Sequence, residues 1–132
     1  MFIVGVVRGT FANETSTFMI TATPTVIPTP QPPKVTTGEA SLTEDDLVIL
    51  EGLANANGLL TTVWFEYGTS SRVYTGTSST QTVSGTNDTN VRIGNIHVVG
   101  NVLEGVIYYY RLGAQNSIGT SYGDEKYFGL VP

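Results

Sequence analysis

No cysteine occurs in the 132 residues, so neither a disulfide framework nor thiol chemistry is available to this chain. Charge is scarce as well: Asp, Glu, Lys and Arg together make up 13%. The six basic residues (Arg8, Lys34, Arg72, Arg92, Arg111 and Lys126) are scattered, and the net charge is −5. A phosphate-binding surface needs clustered Lys and Arg, which argues against a nucleic-acid partner. The one histidine, His97, has no Ser or Cys motif around it and reads as structural. Long apolar runs are missing too. Phe2–Val7 is ended by Arg8, is too short to span a bilayer, and lacks the basic region that opens a signal peptide. With Met1 as the start, export by the usual signal is not expected. No phosphate loop, metal cluster or catalytic constellation stands out, so the expectation is a non-enzymatic protein without a cofactor.

What the chain does have is Gly, Thr, Ser and β-branched residues, the composition of short strands and many turns. Even Leu42–Leu53, the nearest candidate for a helix, alternates better at period 2 than at 3.6. The clearest strand is Leu59–Gly68, which is β-branched and aromatic and bracketed by turn residues on both sides. Val63, Phe65 and Tyr67 fall on one face and Thr62, Trp64 and Glu66 on the other.

Three regions follow one another along the chain. Residues 1–23 contain two strand-like runs, 2–8 and 15–22, an arm or hairpin that needs support because an isolated hairpin is marginal in water. Residues 24–33 carry five of the six prolines and read as an extended, semi-rigid linker outside any sheet. From residue 34 to 132, strands recur with Gly/Asn/Ser-rich turns between them, the pattern of a β-sandwich. Expected strands are 34–37, 46–54, 60–67, 72–74, 81–83, 91–99, 107–115 and 125–128.

Two stretches resemble a known family. Leu50–Gly58 followed by Thr62–Gly68 is similar to the second and third strands of bacterial and phage fibronectin type III-like domains. Glu104–Leu112 and Ala114–Gly123 resemble the family's last two strands and their connecting turn. The likeness covers about residues 33–128 and implies an all-β, fibronectin type III-like sandwich. It places Tyr108 at the tyrosine corner, where a phenol bonds back to the preceding loop. Glu104-Gly105 stands where the family usually has Pro-Gly. The alternation agrees with this register. Tyr108, Tyr110, Leu112 and Ala114 share a face set against Val63, Phe65 and Tyr67, while Val48, Leu50, Gly52 and Ala54 line the other sheet and Phe128 closes the core.

The outward residues carry the functional expectations. Leu47, Ile49 and Leu53 are large aliphatics on a face that should be polar, which implies cover. Either the arm supplies it in cis, through Phe2, Ile3, Val4, Val6, Val7, Phe18 and Ile20, or another subunit does. Trp64, Glu66, Tyr109 and Arg111 should share the outer face of the other sheet, with an aromatic pair and an opposite-charge pair as cross-strand neighbours. Such residues either stabilise the sheet or form an adhesive patch, since Trp, Tyr and Arg dominate binding hot spots. Glu44-Asp45-Asp46 reads as a solvated turn; Asn87-Asp88-Thr89-Asn90 offers oxygens but lacks the spacing of a calcium loop. Asn13-Glu14-Thr15 and Asn87-Asp88-Thr89 match the glycosylation sequon at the frequency chance allows.

The leading expectation is a structural protein on a virion surface, a phage decoration protein whose arm anchors to other copies of itself or to a capsid or tail lattice. The linker would then hold the sandwich outward. One alternative is an extracellular filament or pilus subunit assembling by N-terminal strand addition. Another is a carbohydrate-binding or adhesion module contacting surface glycans through Trp64. None of these requires membrane insertion.

Overall fold

A computed structural model describes residues 4–11, 14–21, 29–43, 47–96 and 105–129, and every described element is a strand. The N-terminal runs form β1 (Val4–Phe11) and β2 (Glu14–Thr21), paired antiparallel along their whole length as a two-stranded sheet of their own. The sandwich follows as two antiparallel sheets. One is three-stranded, in the order β3 (Lys34–Leu42), β4 (Val48–Asn55), β8 (Thr89–Ile96). The other is centred on β5 (Thr61–Gly68) and β9 (Ile107–Gln115). The short strands β6 (Gly76–Thr77) and β7 (Gln81–Val83) flank β5, while β10 (Thr120–Tyr122) and β11 (Lys126–Gly129) flank β9.

Period-2 alternation sorts the residues as expected. Val48, Leu50 and Ala54 of β4, Val63, Phe65 and Tyr67 of β5, and Tyr108, Tyr110, Leu112 and Ala114 of β9 are all buried. Val83, Val91 and Ile93 complete the core, and Phe128 packs against it half-buried, its ring stacked on Tyr108 at 5.3 Å. Each large side chain moved from water into such a core contributes about 1.5–3 kcal/mol. Gly52 belongs to the inner row because a Cβ there would sit 2.8 Å from Leu112 Cδ2 of the facing sheet. Tyr108 is buried where the tyrosine corner was expected, but the loop it would bond, 97–104, lies outside the described residues.

The two sheets are also tied by polar bonds. Tyr110 donates its hydroxyl hydrogen to the Gly38 carbonyl of β3 at 2.7 Å, and the Leu112 N–H donates to Thr37 Oγ1 at 3.1 Å. Those bonds lie beside the break between β10 and β11. The Leu112 carbonyl accepts from Gly123 N–H at 2.8 Å, and residues 123–125 bulge between β10 and β11 where β3 leans in. A Cβ on Gly123 would lie 2.4 Å from Thr37 Oγ1, so only glycine permits that approach.

Three expectations about the strands change. The strand expected at 125–128 is β11, at 126–129, and a further short strand, β10, precedes it across a bulge. The strand expected at 72–74 is a loop: Ser70 and Val73 form a single bridge, Arg72 sits at φ 62, and pairing with β5 resumes only at Gly76. The first strand of the sandwich runs on from Thr37 to Leu42, past a register shift between Thr37 and Ala40.

Candidate functional site

The outward face of β5 and β9 is where chemistry-bearing side chains gather. The two strands pair so that Trp64 lies opposite Gly113, Glu66 opposite Arg111 and Gly68 opposite Tyr109. The expected charge pair therefore forms. Arg111 Nε and Nη2 donate to Glu66 Oε2 at 3.0 and 2.9 Å, and Trp64 Nε1 donates to Glu66 Oε1 at 3.4 Å. The expected aromatic pair does not form, because the register puts glycine opposite each aromatic. The Trp64 indole lies over Gly113, where a Cβ would meet it at 2.8 Å. Tyr109 turns to the edge strand, its ring 6.4 Å from Tyr127.

Gly68 is covered from outside. A Cβ there would sit 2.2 Å from the Val73 carbonyl oxygen, so the loop of residues 69–75 crosses the outward face as a strap. The strap places the Tyr74 ring 4.5 Å from the Arg111 guanidinium, and Tyr122 of β10 lies on it at 3.7 Å. Arg111 is thus held between two phenol rings while its nitrogens grip Glu66. Tyr122 also meets Trp64 edge-on, with centroids 6.3 Å apart.

Glu125, in the bulge between β10 and β11, fastens the strap. Its carboxylate accepts from Ser71 Oγ at 2.6 Å, from Arg72 N–H at 2.7 Å and from the Tyr74 hydroxyl at 2.5 Å. Partial burial, then the hydrogen bond to Glu125, pushes the Tyr74 phenol up to about 12. The Ser71 and Tyr74 hydroxyls hold the Glu125 carboxyl below its ordinary range. Around this cluster Tyr127 is 72% exposed and Ile107, Val73 and Tyr122 are each about half exposed, beside the exposed Ser71, Arg72 and Asp124.

The other expected residues fall elsewhere. Ile49 and Leu53 lie on the outward face of the three-stranded sheet, Ile49 half-buried beside Gly94 and Leu53 39% exposed, with the exposed Glu51–Arg92 pair between them. Leu47, just ahead of β4, is half-buried. Val4, Val6, Val7, Phe18 and Ile20 belong to the hairpin, where the register sets Val7 against Phe18 and Gly5 against Ile20. Phe2, Ile3, His97 and Glu44–Asp46 lie outside the described residues. Asp88 accepts from the Asn55 side-chain amide at 3.2 Å. Among the described residues no three His, Cys, Asp or Glu side chains cluster closely enough to hold a metal ion.

Tyr74, Tyr122 and Glu125 were absent from the expected set. Their signal was indirect: Gly68 and Gly113 occupy outward positions in otherwise bulky strands, and a strand glycine marks a close approach by something else. The molecule is an all-β sandwich of two antiparallel sheets, compatible with an immunoglobulin- or fibronectin type III-like domain. Neither a model of a known protein family nor a curated protein matches this chain.

Proposed function

We propose that this chain is a non-catalytic display protein, a fibronectin type III-like sandwich anchored through its N-terminal hairpin to a lattice of other subunits, as on the surface of a phage particle. The observation that carries this reading is the hairpin. β1 and β2 are each eight residues long and pair with each other in a sheet separate from the sandwich. A two-stranded sheet is marginal by itself, and its open edges are templates for strands of another chain. Anchoring resolves both problems at once. The family reading is supported by the strand orders β3-β4-β8 and β10-β9-β5-β6, with sequence-adjacent β4 and β5 in different sheets. The phage setting rests on the resemblance of residues 33–128 and on the order arm, linker, sandwich.

The same free edges favour a second reading, a filament subunit whose β1 or β2 adds to the neighbouring copy. Electron microscopy and sedimentation of the purified full chain over a wide concentration range separate the two. The display reading predicts a monomeric or small closed species that binds a particle lattice and loses that binding when residues 1–23 are removed. Filaments that lengthen with concentration, and vanish with the same deletion, would establish the second reading and sink the first.

A further inference from the structure

The end of the proline segment is not free. Asn57 Nδ2 donates to the Pro32 carbonyl at 2.8 Å, and Asn116 Nδ2 donates to the Gln31 carbonyl at 2.8 Å. The two asparagines come from separate connections, Asn57 from the link between β4 and β5, Asn116 from the turn between β9 and β10. They bind consecutive carbonyls, which an extended segment without ladder partners leaves open. The Asn57 backbone and the Asn116 side chain are each held by further bonds. The Asn57 N–H is taken by Asn55 Oδ1 at 2.9 Å, and Asn116 Oδ1 accepts from Ile118 and Gly119 N–H at 2.9 and 3.2 Å. Packing adds to the bonds, since Pro33 is buried and a Cβ on Gly119 would touch the Pro32 ring at 3.6 Å.

We propose that Asn57 and Asn116 form an intramolecular binding site for an extended, proline-containing segment, and that residues 31–33 consequently move as part of the sandwich. The chain then enters the sandwich at a fixed point, at the loop end of the domain where Asn57 and Asn116 hold it. Proline suits the ligand position because its φ is already restricted, so little chain freedom is lost on docking. The proposal depends only on this clamp and holds whatever the arm binds.

The test is ¹⁵N relaxation of the full-length chain, read at the Gln31 amide, in the wild type and in Asn57→Asp/Asn116→Asp. Aspartate keeps the side-chain oxygen that sets the Asn116 turn and tolerates the positive φ of 51 at Asn57, but replaces each donating NH₂ by an acceptor facing a carbonyl. The wild type should give Gln31 an order parameter near that of rigid strands, about 0.85, falling below about 0.6 in the double variant. The β5 and β9 amides should stay rigid in both. A wild-type Gln31 already below about 0.6, or one equally rigid in the two proteins, would overturn the clamp. Should the double variant fail to fold, the wild-type value and Asn57→Asp alone decide, since among the described residues the Asn57 side-chain amide bonds the Pro32 carbonyl alone.

Discussion

Each sheet of the sandwich carries a Glu–Arg pair directly across two neighbouring strands on its outward face, and the two pairs differ in their surroundings. Glu51 and Arg92 meet at 3.2 Å with their side chains 50% and 66% exposed. Glu66 and Arg111 meet at 2.9 Å with theirs 19% and 29% exposed. The residues and the register are equivalent, so the difference comes from what lies above them. Over Arg111 stand Tyr74, brought there by a strap fastened at Glu125, and Tyr122 of β10; the Glu51–Arg92 pair stays largely open to solvent. Exposed pairs of the first kind contribute about 0–1 kcal/mol. The shielded pair joins a network in which bonds reinforce one another. Residue types that dominate binding surfaces can therefore also stabilise the sheet that carries them, as Arg111 does through Glu66, Tyr74 and Tyr122.

The largest effect that would break this contrast comes from glycine. Gly68→Ala puts a methyl group 2.2 Å from the Val73 backbone oxygen, which has no flexible side chain to yield, so the strap must lift. A loss of about 3 kcal/mol in urea unfolding is expected, with an unchanged m value. Gly94→Ala is the matched change on the three-stranded sheet. Among the described residues its added methyl meets Ile49 Cγ1 alone, at 3.4 Å, and stability should move by no more than about 0.5 kcal/mol. Equal losses from the two substitutions would mean that the strap does not cover Gly68 in solution.

Arginine gives the next largest separation. Arg111→Ala strips the charged partner from Glu66, leaving it the longer bond from Trp64 Nε1. It also removes the guanidinium that Tyr74 and Tyr122 stack on, and a loss of about 2 kcal/mol follows. Arg111→Lys should recover only part of it, because a lysine keeps the charge without the planar stack or the two-nitrogen grip. Arg92→Ala, with its side chain 66% exposed, should cost no more than about 0.5 kcal/mol. Thermal melts of the three variants rank them. If Arg92→Ala proves as costly as Arg111→Ala, the shielding explanation fails.

The inner faces were legible in the sequence because burial acts locally through the period-2 rule. Val63, Phe65 and Tyr67, or Tyr108, Tyr110 and Leu112, announce their side of the strand without reference to anything distant. The outward faces were not, because their meaning depends on register between strands far apart in the chain. Nothing near Trp64 says that Gly113 will lie opposite, and nothing near Glu66 says that Tyr122 will cap its partner. The strap misled for a related reason. Val73 and Tyr74 have strand propensity, but Glu125, over fifty residues away, bonds the Arg72 N–H and the Tyr74 hydroxyl and draws the segment off the sheet edge. The clamp on Gln31 and Pro32 was hidden likewise. Asn57 and Asn116 read as ordinary turn residues, and their spare amide donors find carbonyls 25 and 85 residues earlier.

The smallest of the expected effects tests the fastening of the strap through pH. Glu125 titrates below its ordinary value of 4.5 in the folded chain, chiefly because the Ser71 and Tyr74 hydroxyls donate to it. A carboxyl with a depressed folded pKa contributes stability that is present above 4.5 and is lost as pH falls through the lower folded value. Tyr74 acts at the other end. Its pKa is raised from 10.0 to about 12, so its contribution is complete below 10 and disappears as pH climbs toward 12. Tyr110, raised to about 12 by burial against the core, shares that alkaline limb, so Tyr74→Phe should flatten it only in part. Glu125→Gln should flatten the acid limb and leave the Tyr110 portion of the alkaline limb in place. Melting temperatures measured from pH 2 to 12 read both limbs in one series. Because Glu125 sits close to solvent, the change should be a few degrees at most, smaller than for Gly68→Ala or Arg111→Ala. An acid limb in Glu125→Gln that superimposes on the wild type would show that the strap is held by Tyr74 on Arg111 alone, and the carboxylate would then be an accessory to the stack.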